Sequence, residues 1–330
     1  MRVQIPQMLI CVALFLGFSS LAYAESFIEE TISYISGGCS CDAKDSCGCE
    51  DSCCASSDCC LLRFLKPSDT CFSQYISPMT NPVFFEDPRT LTEARFIFLR
   101  NRDPSAVAGG GDINLFALQL RAALTEDLSV IATKDGFITS HGGVHNLIDD
   151  GWADVALGLK YNLIKNYETQ TIVSVGLLYE LSVGSTRSLQ GQGDGLFSPF
   201  LTAAFDFNGW HFMTEPGFML PTNHNEESTV FFWDFHLDHR VAATDFFVLG
   251  EINWFNWLGA GNNGIDGVEG IDLFNFGSTG VAGDNVVTGA LGVKYRPSFY
   301  TEVGFCWETP LTDRRFVMEY RYMVDVIVRY

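Results

Sequence analysis

The residues with the most capacity for chemistry lie in one short run, CSCDAKDSCGCEDSCCASSDCC, at residues 39–60. Its thiols could form disulfides or could bind a metal ion as thiolates. The spacing lacks the C-x2-C pairs typical of zinc modules, which favours disulfides while leaving the pairing open. The candidate disulfide or metal residues are Cys39, Cys41, Cys47, Cys49, Cys53, Cys54, Cys59, Cys60 and Cys71. Because nine is an odd number, we expect one thiol to pair with another chain or to reach Cys306.

A second candidate is the motif DFHLDH, which places Asp234, His236 and Asp238 at alternate positions. Carboxylate and imidazole groups are ligands for divalent metals. On a strand, however, alternate side chains stand about 7 Å apart, so these three cannot hold one ion without help from neighbouring strands. The motif is therefore interpreted as a polar strand face that lines an interior, with the identity of any metal unknown.

A hydrolase, in particular a phospholipase, is the enzymatic alternative. Histidines occur in TSHGGVHN, and PTNHNEES holds His224 and Ser228. A triad is recognised by the geometry of a nucleophile, a base and an orienting group. Nothing around these residues has the sequence of a hydrolase nucleophile, so we expect loop residues, no enzyme and no cofactor.

The N-terminal residues predict export. The chain begins MRVQIPQMLICVALFLGFSSLAYAESF, an apolar run after one Arg and before an A-x-A cleavage site, so residues 1–24 are a predicted signal peptide. Export places the cysteines in an oxidising compartment. The net charge of −20 argues against nucleic acid as a partner, since phosphate binding needs a basic surface. No later run has the roughly 18 apolar residues of a spanning helix.

Apolar and polar residues then alternate with period 2 along most of the chain, which indicates strands with one apolar face. In ADVALGLKYNL, for example, Val155, Leu157 and Leu159 share one face and Asp154 and Lys160 the other. Twelve such segments are predicted, near 92–101, 112–124, 127–135, 153–163, 170–182, 197–208, 210–220, 229–240, 245–256, 285–296, 298–308 and 316–330. Pro199 and Pro216 fall inside two of them, where a bulge or a misplaced strand end is expected.

The connections between these segments alternate in length, short after even-numbered strands and long after odd-numbered ones. This pattern is typical of an outer-membrane β-barrel with both termini in the periplasm. Outward aromatic residues cluster at the short-turn end, as in an interfacial girdle: Tyr161, Phe207, Trp210, Tyr295, Phe299 and Tyr330. A soluble sandwich predicts no such clustering. Outer-membrane lipid is thus an expected partner, as is the barrel-assembly machinery, through the C-terminal strand that ends in Tyr330.

The motifs ALGLKY and ALGVKY form an internal repeat, each followed by a strand reading GLLYE or GFCWE. Together with ETPLTDRRFVMEYRY they resemble the bacterial outer-membrane barrels of the putative MetA-pathway of phenol degradation family, over about residues 90–330. The resemblance implies a transporter-like barrel, related to channels for fatty acids and aromatic hydrocarbons. It carries no catalytic residues.

The predicted inward face holds more acids than bases. The candidate lumen-lining residues are Asp154, Lys160, Glu180, Asp206, Asp234, His236, Asp238, Glu251, Lys294, Glu302, Glu308, Arg321 and Asp325, and Glu215, Glu319, Arg121, Arg296 and Arg329 share that face. Rings of carboxylates repel anions, so an acidic pore is expected to prefer cations or neutral solutes. The alternative is an interior closed by paired charges.

The predicted organisation is a signal peptide at 1–24, a cysteine-rich segment at 25–90 and a barrel at 91–330. The cysteine-rich segment is expected to be a periplasmic extension with one short helix, or else a plug inside the barrel. The predicted function is an outer-membrane channel or transporter for small solutes, hydrophobic, aromatic, neutral or cationic. The alternative is a structural protein whose barrel anchors the cysteine-rich segment.

Overall fold

The structure, a computed structural model, describes residues 65–330; residues 39–60, with eight of the candidate cysteines, and the predicted signal peptide lie outside the described residues. The described chain forms a closed antiparallel barrel of twelve strands. The strands are β1 Glu93–Asp103, β2 Gly111–Ala123, β3 Leu128–Lys134 continued by Phe137–Gly142, β4 Gly151–Trp152 continued by Val155–Asn166, β5 Thr171–Leu181, β6 Leu196–Phe207, β7 Trp210–Pro221, β8 Thr229–Arg240, β9 Phe246–Gly259, β10 Asn285–Ser298, β11 Thr301–Pro310 and β12 Tyr320–Arg329.

The barrel closes because β1 pairs with both β2 and β12. The β1–β12 register runs from Glu93 opposite Arg329 to Arg102 opposite Tyr320. A closed barrel leaves no strand edge unpaired, which is what a chain surrounded by lipid requires. The predicted fold class is confirmed.

Burial alternates along the strands with the period that the sequence predicts. On β12, Met323, Asp325 and Ile327 face inward while the side chains of Tyr322 and Val324 are exposed on the outside. The predicted outward residues of the other strands are likewise exposed apolar side chains, among them Leu157, Leu159, Tyr161, Val175, Leu177, Phe207, Trp210, Leu291, Val293, Phe305, Trp307 and Tyr330. The exterior is therefore an apolar surface suited to lipid.

Long and short connections lie at opposite ends of the barrel. The rim formed by 124–127, 167–170, 208–209, 241–245 and 299–300 is called the short-turn end, and the opposite rim the long-loop end. The long loops hold the helix Ser105–Ala108 and the 3₁₀ turns Gly143–Asn146 and Thr186–Ser188. No helix in the described part of the chain is long and apolar enough to cross a membrane.

Two predicted strand ends differ from the structure by four residues or more, and the others by three or fewer. The third strand does not stop at 135 but resumes at Phe137, after Gly136 adopts a φ of 110° that favours glycine. The last strand starts at Tyr320 instead of 316, because Phe316 turns inward and its ring packs against Trp257, with centroids 4.8 Å apart. At the start of the last strand, an inward contact thus overrides the local alternation.

Pro199 lies within β6 and Pro216 within the neighbouring β7, and neither the bulge nor the misplaced strand end that the sequence suggested there is present. Pro199 stays paired with Leu177 of β5, and Pro216 stays paired with Trp233 of β8. The missing pairings all fall between β6 and β7, where the ladder is interrupted while its register continues on either side. The loss of backbone hydrogen bonds from the two missing proline N–H donors is thus confined to the β6–β7 pairing.

The interior is filled by two inserted segments. Residues 65–92 are called the plug segment; residues 65–74 are partly exposed, and residues 75–92 are all buried inside the barrel. From the long-loop end, the connection 260–284 folds inward and buries Ile271, Leu273, Phe274, Phe276 and Val281. Of the segment predicted at 25–90, residues 75–90 are therefore buried in the barrel interior.

Candidate functional site

The plug segment enters and leaves at the short-turn end. The Lys66 N–H donates to the Ala123 carbonyl (2.9 Å) and the Ser68 N–H to the Tyr330 carbonyl (2.6 Å). The chain then rises to a tip at residues 79–84 and returns to Thr92, next to the start of β1. Asn81, at the tip, has a φ of 49°, a left-handed conformation that Asn tolerates better than most residues. The plug is thus a hairpin-like excursion tied at both ends to one rim.

On its returning limb, the plug is held by charge pairs to the wall. Glu86 accepts hydrogen bonds from Arg121 of β2 and, at 2.8 Å, from the Lys160 ammonium of β4. Burial alone would raise the pKa of Glu86, but Arg121 and Lys160 outweigh it and hold the pKa below its ordinary value. Glu86 is therefore a charged anchor between the plug and two strands.

A second anchor lies within the plug. Arg89 donates from Nη2 to Asp87 (2.6 Å) and from Nη1 to the carbonyl of Tyr75 (2.8 Å), joining its two limbs. Burial would raise the pKa of Asp87, yet the Arg89 guanidinium lowers it overall. Arg329 of β12 donates to Ser77 (2.8 Å), so this pair is connected to the wall.

The wall beside these anchors is a continuous network of paired charges. Arg329 bridges Glu93 and Glu302, each at 2.7 Å. Lys294 in turn contacts Glu302 at 3.1 Å and Asp325 at 3.0 Å. Arg95 completes the network at 2.9 Å from Asp325. Strands β10, β11, β12, β1, β2, β3 and β4, which are neighbours around the barrel, together form what we call the paired side.

Strands β6 to β9 form an opposite region, called the acidic arc. Their only Lys or Arg is Arg240, which is exposed at the end of β8. Buried on this arc are Glu215, Asp234, Asp238 and Glu251. Histidines take the place of Arg and Lys here, because His211 and His236 are the buried partners of Asp238 and Glu251.

The plug tip is held on the acidic arc by Glu251. The Met79 and Thr80 N–H groups donate to its two carboxylate oxygens at 2.8 and 2.6 Å. Nδ1 of His236 lies 2.6 Å from the same carboxylate, and its Nε2 lies 3.0 Å from Asp238. The arc therefore holds the plug by hydrogen bonds that pass through a buried histidine.

The chain of contacts continues from Asp238 to the short-turn end. Nδ1 of His211 lies 2.7 Å from Asp238, and its Nε2 lies 3.5 Å from the half-buried Asp206. The ring of Tyr75 in the plug packs on the His211 ring, with centroids 5.1 Å apart. A line of titratable groups thus runs from the rim to the plug tip.

Toward the long-loop end, loop residues form ion pairs and hydrogen bonds with the buried charged residues of the wall. Arg321 of β12 binds Asp272 of the inserted loop at 2.7 Å and lies 3.4 Å from Glu308. On the other side, Lys134 pairs with Glu180, and Asp154 accepts from the Gly184 N–H at 2.8 Å. The inserted loop is therefore held by the same kind of charge pair as the plug.

The structure places the candidate lumen-lining residues as follows. Twelve of them are buried inside the barrel: Asp154, Lys160, Glu180, Asp234, His236, Asp238, Glu251, Lys294, Glu302, Glu308, Arg321 and Asp325. Asp206 is half-buried, as are Arg296 and Glu319. Sequence reasoning missed Asn81, Glu86, Asp87 and Arg89 of the plug and Asp272 of the loop. The run NPVFFEDPRT, in which charges sit among apolar residues and prolines without a period, was the available signal.

Little open volume separates the plug from the wall beside β1–β3. A cavity of about 20 Å³ lies there, lined by Pro82 and Val83 of the plug, Ile97 and Leu115 of the wall, and Leu273 of the inserted loop. That volume holds about one water molecule. Any passage of a larger solute at this position requires the plug or the loop to move.

The histidines and serines considered for hydrolysis have other partners. Ser228 is buried and donates to Glu269 at 2.7 Å, while the His224 ring lies 3.3 Å from Thr229. Ser140 approaches His145 at 2.7 Å, but Ser140 is buried and donates its proton to the Ile148 carbonyl. A nucleophile must be accessible and must give its proton to the base, so these contacts do not form a triad.

The two described cysteines lie in different places. Cys71 is at the short-turn end, where Gln170 donates to its carbonyl at 3.3 Å. Cys306 is buried in the interior in one cluster with Met79 and Ile76, and forms no disulfide within residues 65–330. That the eight cysteines in the run 39–60 form disulfides stays a prediction.

Solved structures share this fold at low sequence identity. The COG4313 outer membrane channel from Pseudomonas putida F1 is 10% identical with a TM-score of 0.54, over 78% of this chain and 100% of that one. The NanC porin is 10% identical with a TM-score of 0.46, over 72% and 100% of the two chains. The KdgM porin is 9% identical with a TM-score of 0.44, over 72% and 99%.

The likeness to the COG4313 channel, whose TM-score is above 0.5, concerns the fold alone. No protein-family model and no curated protein matches the chain, so the resemblance to the MetA-pathway family is not confirmed.

Proposed function

We propose that the protein is an outer-membrane channel for small solutes whose lumen is closed by the plug segment and opens when the plug moves. One observation supports this most strongly: the barrel carries an apolar exterior around an interior of buried charges, several of which bind the plug. A barrel used only as an anchor needs the exterior but not a wall of polar groups fitted to a removable segment.

The polar nature of the plug contacts favours a plug that can move. Glu86, Glu251 and Arg329 hold it through hydrogen bonds and ion pairs, which water can replace as the plug leaves. The apolar side chains of the plug take part in three buried clusters, through Val83 and Phe84, through Ile76 and Met79, and through Phe72, Tyr75 and Phe85. Movement of the plug would expose these apolar side chains, while the polar anchors it leaves behind are groups that water solvates well.

The acidic arc supports a preference for neutral or cationic solutes. When the plug leaves, its anchors on this arc, Glu215, Asp234 and Glu251, face the lumen without an Arg or Lys from β6–β9. Carboxylates facing a pore repel anions and attract cations. Whether the solutes include hydrophobic or aromatic molecules, as the resemblance implies, belongs to the same proposal.

The proposed setting is the outer membrane with the short-turn end in the periplasm, because short turns and both termini occupy that side of outer-membrane barrels. In that setting the barrel-assembly machinery would recognise β12 and Tyr330. We propose no enzymatic role.

Uptake into proteoliposomes tests the channel. The full-length protein is reconstituted, and the entry of a neutral sugar, a small ammonium ion and a small sulfonate is compared with that into empty vesicles. We expect slow entry of the sugar and the cation, slower entry of the sulfonate, and faster entry through Glu86→Ala, which removes the anchor to Arg121 and Lys160.

The matched control is Glu126→Ala. Glu126 is an exposed acid at the short-turn end, and its pair with Lys66 of the plug segment is solvent-accessible. If neither the wild type nor Glu86→Ala passes any solute while both keep the compact, heat-modifiable form on a gel, the channel proposal is wrong. The barrel is then an anchor for the cysteine-rich segment.

A further inference from the structure

One cluster in the acidic arc is not explained by the contacts of the plug. Glu215 of β7 and Asp234 of β8 are directly opposite in the antiparallel register, and both are fully buried. Opposed residues have Cβ atoms about 4.5–5.5 Å apart. Two carboxylates at this separation repel each other, and burial makes that repulsion strong.

Each carboxylate has one oxygen occupied by the plug. The Glu86 N–H donates to Oε2 of Glu215 at 2.8 Å, and Nδ2 of Asn81 donates to Oδ2 of Asp234 at 2.8 Å. Within residues 65–330 the second oxygens, Oε1 of Glu215 and Oδ1 of Asp234, have no hydrogen-bond partner. No Lys, Arg or His of the described chain forms an ion pair with either acid.

A third buried oxygen also has no hydrogen-bond partner among the described residues. Oδ1 of Asn81 is buried and, among the described residues, has no hydrogen-bond donor. The orientation of this amide is fixed by Asp234, because turning it over would bring Oδ1 against a carboxylate oxygen. The plug thus presents a carbonyl oxygen beside Asp234, which is directly opposite Glu215, and each of the three side chains has one oxygen without a partner.

We propose that Asn81, Glu215 and Asp234 form a binding site for a hard divalent cation, Ca²⁺ or Mg²⁺, that ties the plug tip to β7 and β8. An all-oxygen donor set with two carboxylates matches the ligands these ions prefer. A proton shared by the two acids would relieve their repulsion but would leave Oδ1 of Asn81 without a donor. A cation satisfies all three oxygens and compensates two charges.

Calorimetric titration of the full-length protein in detergent tests the site. The protein is stripped with a chelator and titrated with CaCl₂ or MgCl₂. The exposed group His145, Asp149 and Asp150 could also take an ion, so all measurements use an Asp149→Asn background. We expect one ion bound per chain.

The variants then locate the ion. Asp234→Asn and Glu215→Gln are expected to lose binding, and Asn81→Ala, which keeps both acids, to weaken it about tenfold. Asp238→Asn is the matched control, since Asp238 is equally buried on the same face of β8 but is bonded to His211 and His236. It is expected to bind as the parent does.

Hydrogen exchange gives a second measurement. Ca²⁺ or Mg²⁺ is expected to slow exchange at residues 79–84 in the parent and not in Asp234→Asn. The proposal is overturned if the stripped parent binds neither ion, if binding survives Asp234→Asn and Glu215→Gln, or if Asp238→Asn loses it equally. Binding is measured without transport, so this result and that of the channel test are separate.

Discussion

The two halves of the barrel interior hold the same plug by different means. On the paired side, Arg121, Lys160 and Arg329 meet carboxylates of the wall and plug, and most buried charges have an opposite charge within 3.5 Å. On the acidic arc, Glu251 and Asp238 meet histidines and backbone N–H groups instead. The comparison teaches that the paired side holds the plug by ion pairs with Arg and Lys, while the acidic arc holds it by groups that can change protonation or bind ions.

The largest expected effect comes from breaking the paired side. Arg329→Ala leaves Glu93 and Glu302 buried without their shared base, and removing one partner of a buried pair costs about 3–5 kcal/mol. We expect a clear drop in the temperature at which the compact band disappears on a gel. Arg240→Ala, which breaks an exposed pair with Asp245, is the control and should cost about 1 kcal/mol or less.

A smaller effect is expected where the acidic arc holds the plug tip. Glu251→Gln keeps the shape but removes the charge that accepts the Met79 and Thr80 N–H groups, at a cost of about 1.5–3 kcal/mol. Hydrogen exchange at residues 79–84 should speed up, and solute uptake should rise. Unchanged exchange in a folded Glu251→Gln protein would mean that the arc does not retain the plug.

A pH effect is expected in the loop 222–228, above the acidic arc. Burial, together with the nearby Glu180, raises the pKa of Glu227 to about 8. Between these two pKa values the folded state keeps a proton on Glu227 that the unfolded state has released. The proton therefore contributes to the stability of the folded state fully below the unfolded pKa of 4.5, and this contribution is lost as the pH rises toward 8. Exchange of the loop amides should speed up across that window, and Glu227→Gln should flatten the profile.

The smallest effect is expected at the rim. Asp206 is half-buried, 3.5 Å from His211, and Asp206→Asn should change stability by only about 0.5 kcal/mol. Its charge nevertheless faces the short-turn end of the arc, so the preference of uptake for the ammonium ion over the sulfonate should decrease slightly. An increased preference would contradict the role assigned to the acidic arc.

Much of this architecture could be predicted from the sequence because a barrel strand has a strict two-residue period. That period separates Leu157 and Leu159 on the lipid side from Lys160 on the inner side. It does not reveal which inward charges meet, since the partner of Lys160 is Glu86, 74 residues away along the chain in a segment without any period.

The interior contents could not be predicted for the same reason. Pairs such as Arg321 with Asp272 depend on how a long loop folds back, and local alternation carries no information about that. Asn81 became a candidate ligand only when the plug placed it beside Asp234. An interior acid excess was visible in the sequence, but not its concentration on β6–β9.

The most direct measurement of the central claim is the reversal potential of the Glu86→Ala protein in a planar bilayer with a salt gradient. If the plug closes a lumen whose acidic arc repels anions, this loosened variant should conduct and its reversal potential should have the sign of a cation-preferring pore. A folded Glu86→Ala barrel that never conducts, or one whose reversal potential shows preference for anions, would contradict the account.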